Sequence, residues 1–128
     1  MGQAYRAKCK DCGNDFTDKE GGGFYFHLLR CDKCGKSKEI GFDEIGEPHL
    51  RYIKGLGGPY SVASSQTDKM IQEEYPGDSI TESEYHREIE KLMGQCKCGG
   101  QHSFDAPPRC PGCNSINIEK GDVFMMYD

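Results

Sequence analysis

The chain has 128 residues, of which 35% are hydrophobic and 29% charged, with no Trp and a formal net charge of −5 at pH 7. So little apolar material excludes a large hydrophobic core as the main source of stability, and the acidic balance argues against a chain devoted to coating nucleic acid. Eight cysteines are the obvious alternative cross-link.

The N-terminal stretch MGQAYRAKCK has no apolar segment of the kind a signal peptide needs, and no run is long enough to span a bilayer. A cytoplasmic chain without membrane attachment is therefore expected. Thiols stay reduced there, so cysteines in close pairs read as metal ligands rather than disulfides.

In chain order, Cys9-Lys10-Asp11-Cys12 comes first and Cys31-Asp32-Lys33-Cys34 follows after 18 intervening residues. That spacing falls in the window for a four-cysteine zinc site. Between them lies GGGFYFHLLR, residues 21 to 30. Phe24, Phe26 and Leu28 alternate with Tyr25, His27 and Leu29 at the period of a strand, and Gly21 to Gly23 supply a reversal that returns the strand toward Cys9 and Cys12. His27 reads as a packed strand histidine.

Residues 41 to 95 contain no cysteine and hold five Lys/Arg against eleven Asp/Glu, a net of −6; residues 1 to 40 carry +2 and residues 96 to 128 carry −1. This middle stretch is expected to be an acidic, partly helical connector. A helix is expected to start near Pro48 and run through Leu50, Tyr52 and Ile53. The glycine-rich stretch 55 to 66 reads as a loop without the Gly-Lys-Ser/Thr of a phosphate cradle. A second helix is expected over Asp68 to Tyr75, ahead of Pro76. A third is predicted over residues 82 to 93: Thr81 to Glu84 fit a capping box, Tyr85, Ile89, Leu92 and Met93 recur at helical spacing, and Gly94 follows as a left-handed cap.

The C-terminal set is Cys96, Cys98, Cys110 and Cys113. Cys96-Lys97-Cys98 is one residue short of the usual turn, and His102 is the natural substitute ligand if it cannot deliver both sulfurs. Strand segments are expected at Gln101 to Phe104, around Ile116 and Ile118, and over Val123 to Tyr127, with a turn at Lys120-Gly121-Asp122. Each cysteine turn needs a residue at ease with positive φ after its second cysteine. Gly13, Gly35, Gly99 and Asn114 occupy those four places.

CKDCG, CDKCG, CPGCN and the shortened CKCGG resemble the knuckles of zinc-ribbon and rubredoxin-like proteins, over residues 5 to 40 and 95 to 127. The resemblance implies a small metal-stabilised α+β protein: an N-terminal ribbon at 1–40, a connector at 41–95 and a C-terminal ribbon at 96–128. It also implies metal ligation by Cys9, Cys12, Cys31 and Cys34 in one site and by Cys96, Cys98, Cys110 and Cys113 in the other. Two Zn²⁺ are expected, with iron as the alternative. Lys8, Lys10, Arg30, Lys33, Lys36, Lys97 and Arg109 then stand near the sulfurs and offset their charge.

Four cysteines per ion leave no coordination position for substrate, so the leading expectation is a non-catalytic interaction module with a protein partner. A rubredoxin-like iron electron carrier and a nucleic-acid-binding ribbon, using Tyr5, Phe24, Tyr25 and the basic residues, are the alternatives. A reactive thiol at Cys96 assisted by His102 is a third, without a Cys-His-Asn signature to anchor it.

Overall fold

A computed structural model of the protein describes residues 2–23 and 25–127. Phe24, assigned above to the alternating run, lies outside the described residues. The fold is α+β. The chain divides into two compact units, one made of residues up to Glu39 together with those from Gly94 onward, the other of Ile40–Met93.

Two three-stranded sheets are built chiefly from the first unit. β1 (Gly2–Cys9) is the central strand of one, flanked by β2 (Asp15–Glu20) and by the last strand, β6 (Ile118–Tyr127). Both pairings are antiparallel, with Ala7 opposite Phe16 on one side and Cys9 opposite Ile118 on the other. In the second sheet β3 (Phe26–Cys31) lies between β4 (Ser37–Gly41) and the two-residue β5 (His102–Ser103). The alternation expected for the FYFHLL run appears as burial of His27, Leu29 and Cys31, with Phe26, Leu28 and Arg30 half-buried. His27 packs edge-on against Phe104, ring centres 5.6 Å apart.

Lys120-Gly121-Asp122 is not the turn expected of it. β6 runs through it as one strand, and the register against β1 shifts between Ala4 and Tyr5 and again between Tyr5 and Ala7. Such bulges absorb extra residues without ending a strand. Gly121 sits where a Cβ would lie 3.1 Å from the Arg6 carbonyl oxygen, which suits a bulge to glycine. At the far end of the sheet the Tyr127 ring covers Gly2, and its hydroxyl donates to the carbonyls of Glu20 and Gly21 at 3.1 and 2.7 Å.

The second unit is helical: α1 (Phe42–Ile45), α2 (Glu47–Lys54), α3 (Ser65–Glu74) and α4 (Glu82–Met93). Pro48 stands in the first turn of α2. α3 begins three residues earlier than its expected start at Asp68 and ends before Tyr75. α4 has the bounds its sequence predicts, and its capping box forms: Thr81 Oγ1 accepts the Glu84 amide at 3.2 Å, and the Glu84 carboxylate accepts the Thr81 amide at 3.2 Å. Tyr85, Ile89 and Met93 are buried, while Leu92 is exposed. The unit's core includes Ile53, Tyr85 and Ile89, and buried polar residues, His49 and Asp68 among them, are set into it. His49 meets the Tyr85 hydroxyl at 2.6 Å, and Asp68 accepts from Ser64 Oγ and the Tyr60 amide, both at 2.8 Å. Among the described residues no helix is long and apolar enough to cross a membrane.

Candidate metal centre

All eight cysteines are free thiols, gathered into two groups of four whose sulfurs lie within 4.8 Å of one another. The grouping differs from the one expected. Cys9 and Cys12 join Cys110 and Cys113, and Cys31 and Cys34 join Cys96 and Cys98. Neither the N-terminal nor the C-terminal set of four forms a site by itself. Strand pairing is the cause: β6 lies beside β1, so the knuckle ahead of β6 meets the knuckle at the end of β1, and β5 beside β3 does the same for the other pair.

The four turns share one hydrogen-bond pattern. The amides of Gly13, Gly35 and Asn114 donate to the carbonyls of Cys9, Cys31 and Cys110 at 2.9 to 3.0 Å. The amides of those same cysteines donate across the turn to Asn14, Lys36 and Ser115, each at 2.9 Å. The shortened turn closes the same way with one residue fewer, Gly99 to Cys96 at 2.9 Å and Cys96 to Gly100 at 2.7 Å. Gly13, Gly35, Gly99 and Asn114 have φ of 77, 76, 92 and 66°, as their positions require.

The closest sulfur pairs across knuckles are Cys9–Cys113 at 3.5 Å and Cys12–Cys110 at 3.6 Å in the outer cluster. In the inner cluster they are Cys31–Cys98 at 3.4 Å and Cys34–Cys96 at 3.6 Å. A disulfide needs about 2 Å, whereas a tetrahedron with Zn–S bonds of about 2.3 Å has edges of about 3.8 Å. The donor set and its spacing fit a tetrahedral ion.

Electrostatics point the same way. Burial raises the Cys31 thiol, but the amides of Cys34 and Lys33, each 3.4 Å from its sulfur, outweigh this and bring it down to about 6. Cys110 behaves alike: burial raises it, and the amides of Cys113 and Gly112 with the Asn14 side-chain amide bring it to about 6. The Lys36 amide lowers Cys34, yet burial and the neighbouring thiols push it up to about 12. Four sulfurs this close resist ionising together, and a divalent cation held among them would supply the missing charge.

His102 is not a ligand in this geometry. It is buried, with Nδ1 3.2 Å from the Gly94 carbonyl, and the inner cluster is complete with four sulfurs. Nor does Arg30 serve mainly to offset sulfur charge. It pairs with Asp18 at 3.1 Å and donates to the Tyr5 hydroxyl at 3.4 Å and the Lys19 carbonyl at 2.7 Å, tying β3 to β1 and β2.

Sequence reasoning missed the residues that join knuckle to knuckle. The Asp11 carboxylate accepts from Ser115 and Asn117, which hold its pKa below the usual range, and the Lys10 amide donates to Asn117 at 2.9 Å. In the inner cluster Asp32 accepts the Gln101 amide at 2.9 Å and its own amide donates back at 2.8 Å. An aspartate inside each N-terminal knuckle was the available signal. Gly100 is a second omission, since a Cβ there would lie 2.5 Å from the Cys31 sulfur.

A family model described as a domain of unknown function (DUF8255) matches residues 5–119. That span includes all eight cysteines. No curated protein and no solved structure shows significant similarity to the chain.

Proposed function

Because the chain belongs to that family of domains of unknown function, we propose from its site alone that it is a non-catalytic module held together by two structural zinc ions and that it binds a protein partner. The observation that carries the metal reading is the convergence of four thiols on each of two tetrahedral positions, with amide N–H groups already directed at Cys31 and Cys110. Four protein ligands per ion leave no open position for an activated water, which favours a structural role.

A protein partner is supported by surface and charge. β6 is an edge strand, and its run Val123, Phe124, Met125 and Met126 is 44, 52, 46 and 77% exposed. Edge strands are commonly guarded by charge, as β2 is by Asp15, Asp18, Lys19 and Glu20; this half of β6 has no such guard. The net charge of −5 disfavours a phosphate backbone as the ligand.

Elemental analysis of freshly purified protein tests the metal reading. Two zinc ions per chain and no visible absorption are expected. Iron with visible bands that bleach on reduction would move the protein to the electron-carrier alternative, and the absence of bound metal would overturn both. For the partner, capture from the native cell with Phe124→Lys/Met126→Lys beside the unmutated chain should lose the specific protein. Equal capture by the two would remove β6 from the reading.

A further inference from the structure

The ligand pairs follow one another along the chain in the order outer, inner, inner, outer. Sulfurs of the inner cluster meet across sequence separations of 62 and 67 residues, and those of the outer cluster across 98 and 104. The likelihood that a flexible loop closes falls as about the 3/2 power of its length. Once the inner cluster is closed, the chain between Cys12 and Cys110 is cut short: nineteen residues lead to Cys31 and twelve lead away from Cys98. A path of about 31 residues in place of 98 favours closure of the outer cluster about sixfold.

Two sets of packed contacts reinforce this shortcut. Gly35, immediately after Cys34 of the inner cluster, is pressed against Arg109, immediately before Cys110 of the outer one. A Cβ on Gly35 would lie 2.7 Å from the Arg109 Cβ and 3.1 Å from its backbone nitrogen. Arg30, immediately before Cys31, reaches Asp18 and Tyr5 in the sheet that ends at Cys9.

We propose that the two metal positions form one linked binding unit, in which filling either raises the affinity of the other by about sixfold or more, through the nested loops and the Gly35–Arg109 and Arg30–Asp18 contacts. The linkage rests on the metal-binding reading above and can fail without it. Coupling of this kind is reciprocal, so neither site need fill first. The protein then exists mainly as the empty chain or the fully loaded one.

The test uses Zn²⁺ on the full chain with a competing chromophoric chelator. Three constants are measured: the overall constant for both ions in the unmutated protein, the outer site alone in Cys34→Ser/Cys96→Ser, and the inner site alone in Cys12→Ser/Cys113→Ser. The overall constant should exceed the product of the two single-site constants about sixfold or more. Agreement within twofold overturns the linkage. Should either variant fail to fold, native mass spectrometry of the unmutated chain at half-loading decides. For two sites of equal intrinsic affinity a linkage of this size leaves about three-tenths of molecules with one ion; a one-ion population of half or more overturns it for such sites. An unmutated chain that takes up no Zn²⁺ removes the metal reading itself.

Discussion

Gly13 and Gly35 occupy the same place in two knuckles and have nearly the same φ, 77 and 76°, but only one of them is crowded. A Cβ at Gly13 would meet nothing within 4 Å, whereas at Gly35 it would lie 2.7 Å from the Arg109 Cβ and 3.1 and 3.3 Å from that residue's backbone nitrogen and Cα. The positive φ alone costs an alanine about 1 to 2 kcal/mol. Gly13→Ala should therefore lose about that much. At Gly35 the alanine also meets backbone fixed by the Cys110 knuckle, and overpacking of this kind adds about 1 to 3 kcal/mol. For a chain of this size the difference corresponds to roughly 4 to 12 °C in Tm. Thermal unfolding of both variants, metal-loaded and at one fixed free-zinc concentration, reads it directly. Equal losses of Tm, or a larger loss in Gly13→Ala, would refute the claim that the two knuckles are pressed together at Arg109.

Burial lowers the His49 imidazole to about 4, with Asp68 a smaller opposing influence. The unfolded chain takes up this proton first, near its ordinary value, so stability is lost as pH falls from about 6.5 toward 4 and is unaffected above. Between pH 7 and 5.5 the loss should be on the order of 1 kcal/mol. Denaturant unfolding should show it as the difference between the pH slopes of the unmutated chain and His49→Gln, because proton uptake by the cysteines gives both chains a pH dependence of their own; identical slopes would count against the buried neutral ring. Thr81→Ala removes the cap of α4 and should cost about 1 kcal/mol, read by the same unfolding; a Thr81→Ser variant should retain most of the stability. Stripping metal with a chelator should abolish the dispersed amide resonances of β1 and β6. An unchanged amide spectrum would contradict metal-dependent folding.

What was legible in the sequence was local. The bounds of α4 follow from Thr81, Glu84, the Tyr85–Ile89–Met93 stripe and Gly94, all within a few residues. The positive φ of Gly13, Gly35, Gly99 and Asn114 follows from the turn each closes. Which knuckle faces which was not local. Neighbouring pairs are the natural guess, since short loops close most readily. Pairing of β1 with β6 overrode that preference by joining Cys9 to Cys113 across 104 residues. The bulge at Gly121 was misread for a related reason: Lys-Gly-Asp is turn chemistry in isolation, and only the partner strand keeps it extended. Leu92 has the helical spacing of a core residue, yet it falls at the margin of the buried stripe and faces outward.

Gly2 and Tyr127 are cross-strand neighbours, with the tyrosine ring lying over the glycine. A short covalent bridge between them, combined with a new break among residues 55 to 59, would yield a permuted polypeptide with every strand partner preserved. Its sulfur pairs would be encountered in the sequence inner, outer, outer, inner. The cluster that now spans the greater contour would become the local one, and the molecule would hold its own control for whether order of synthesis or final geometry governs how it acquires its ions.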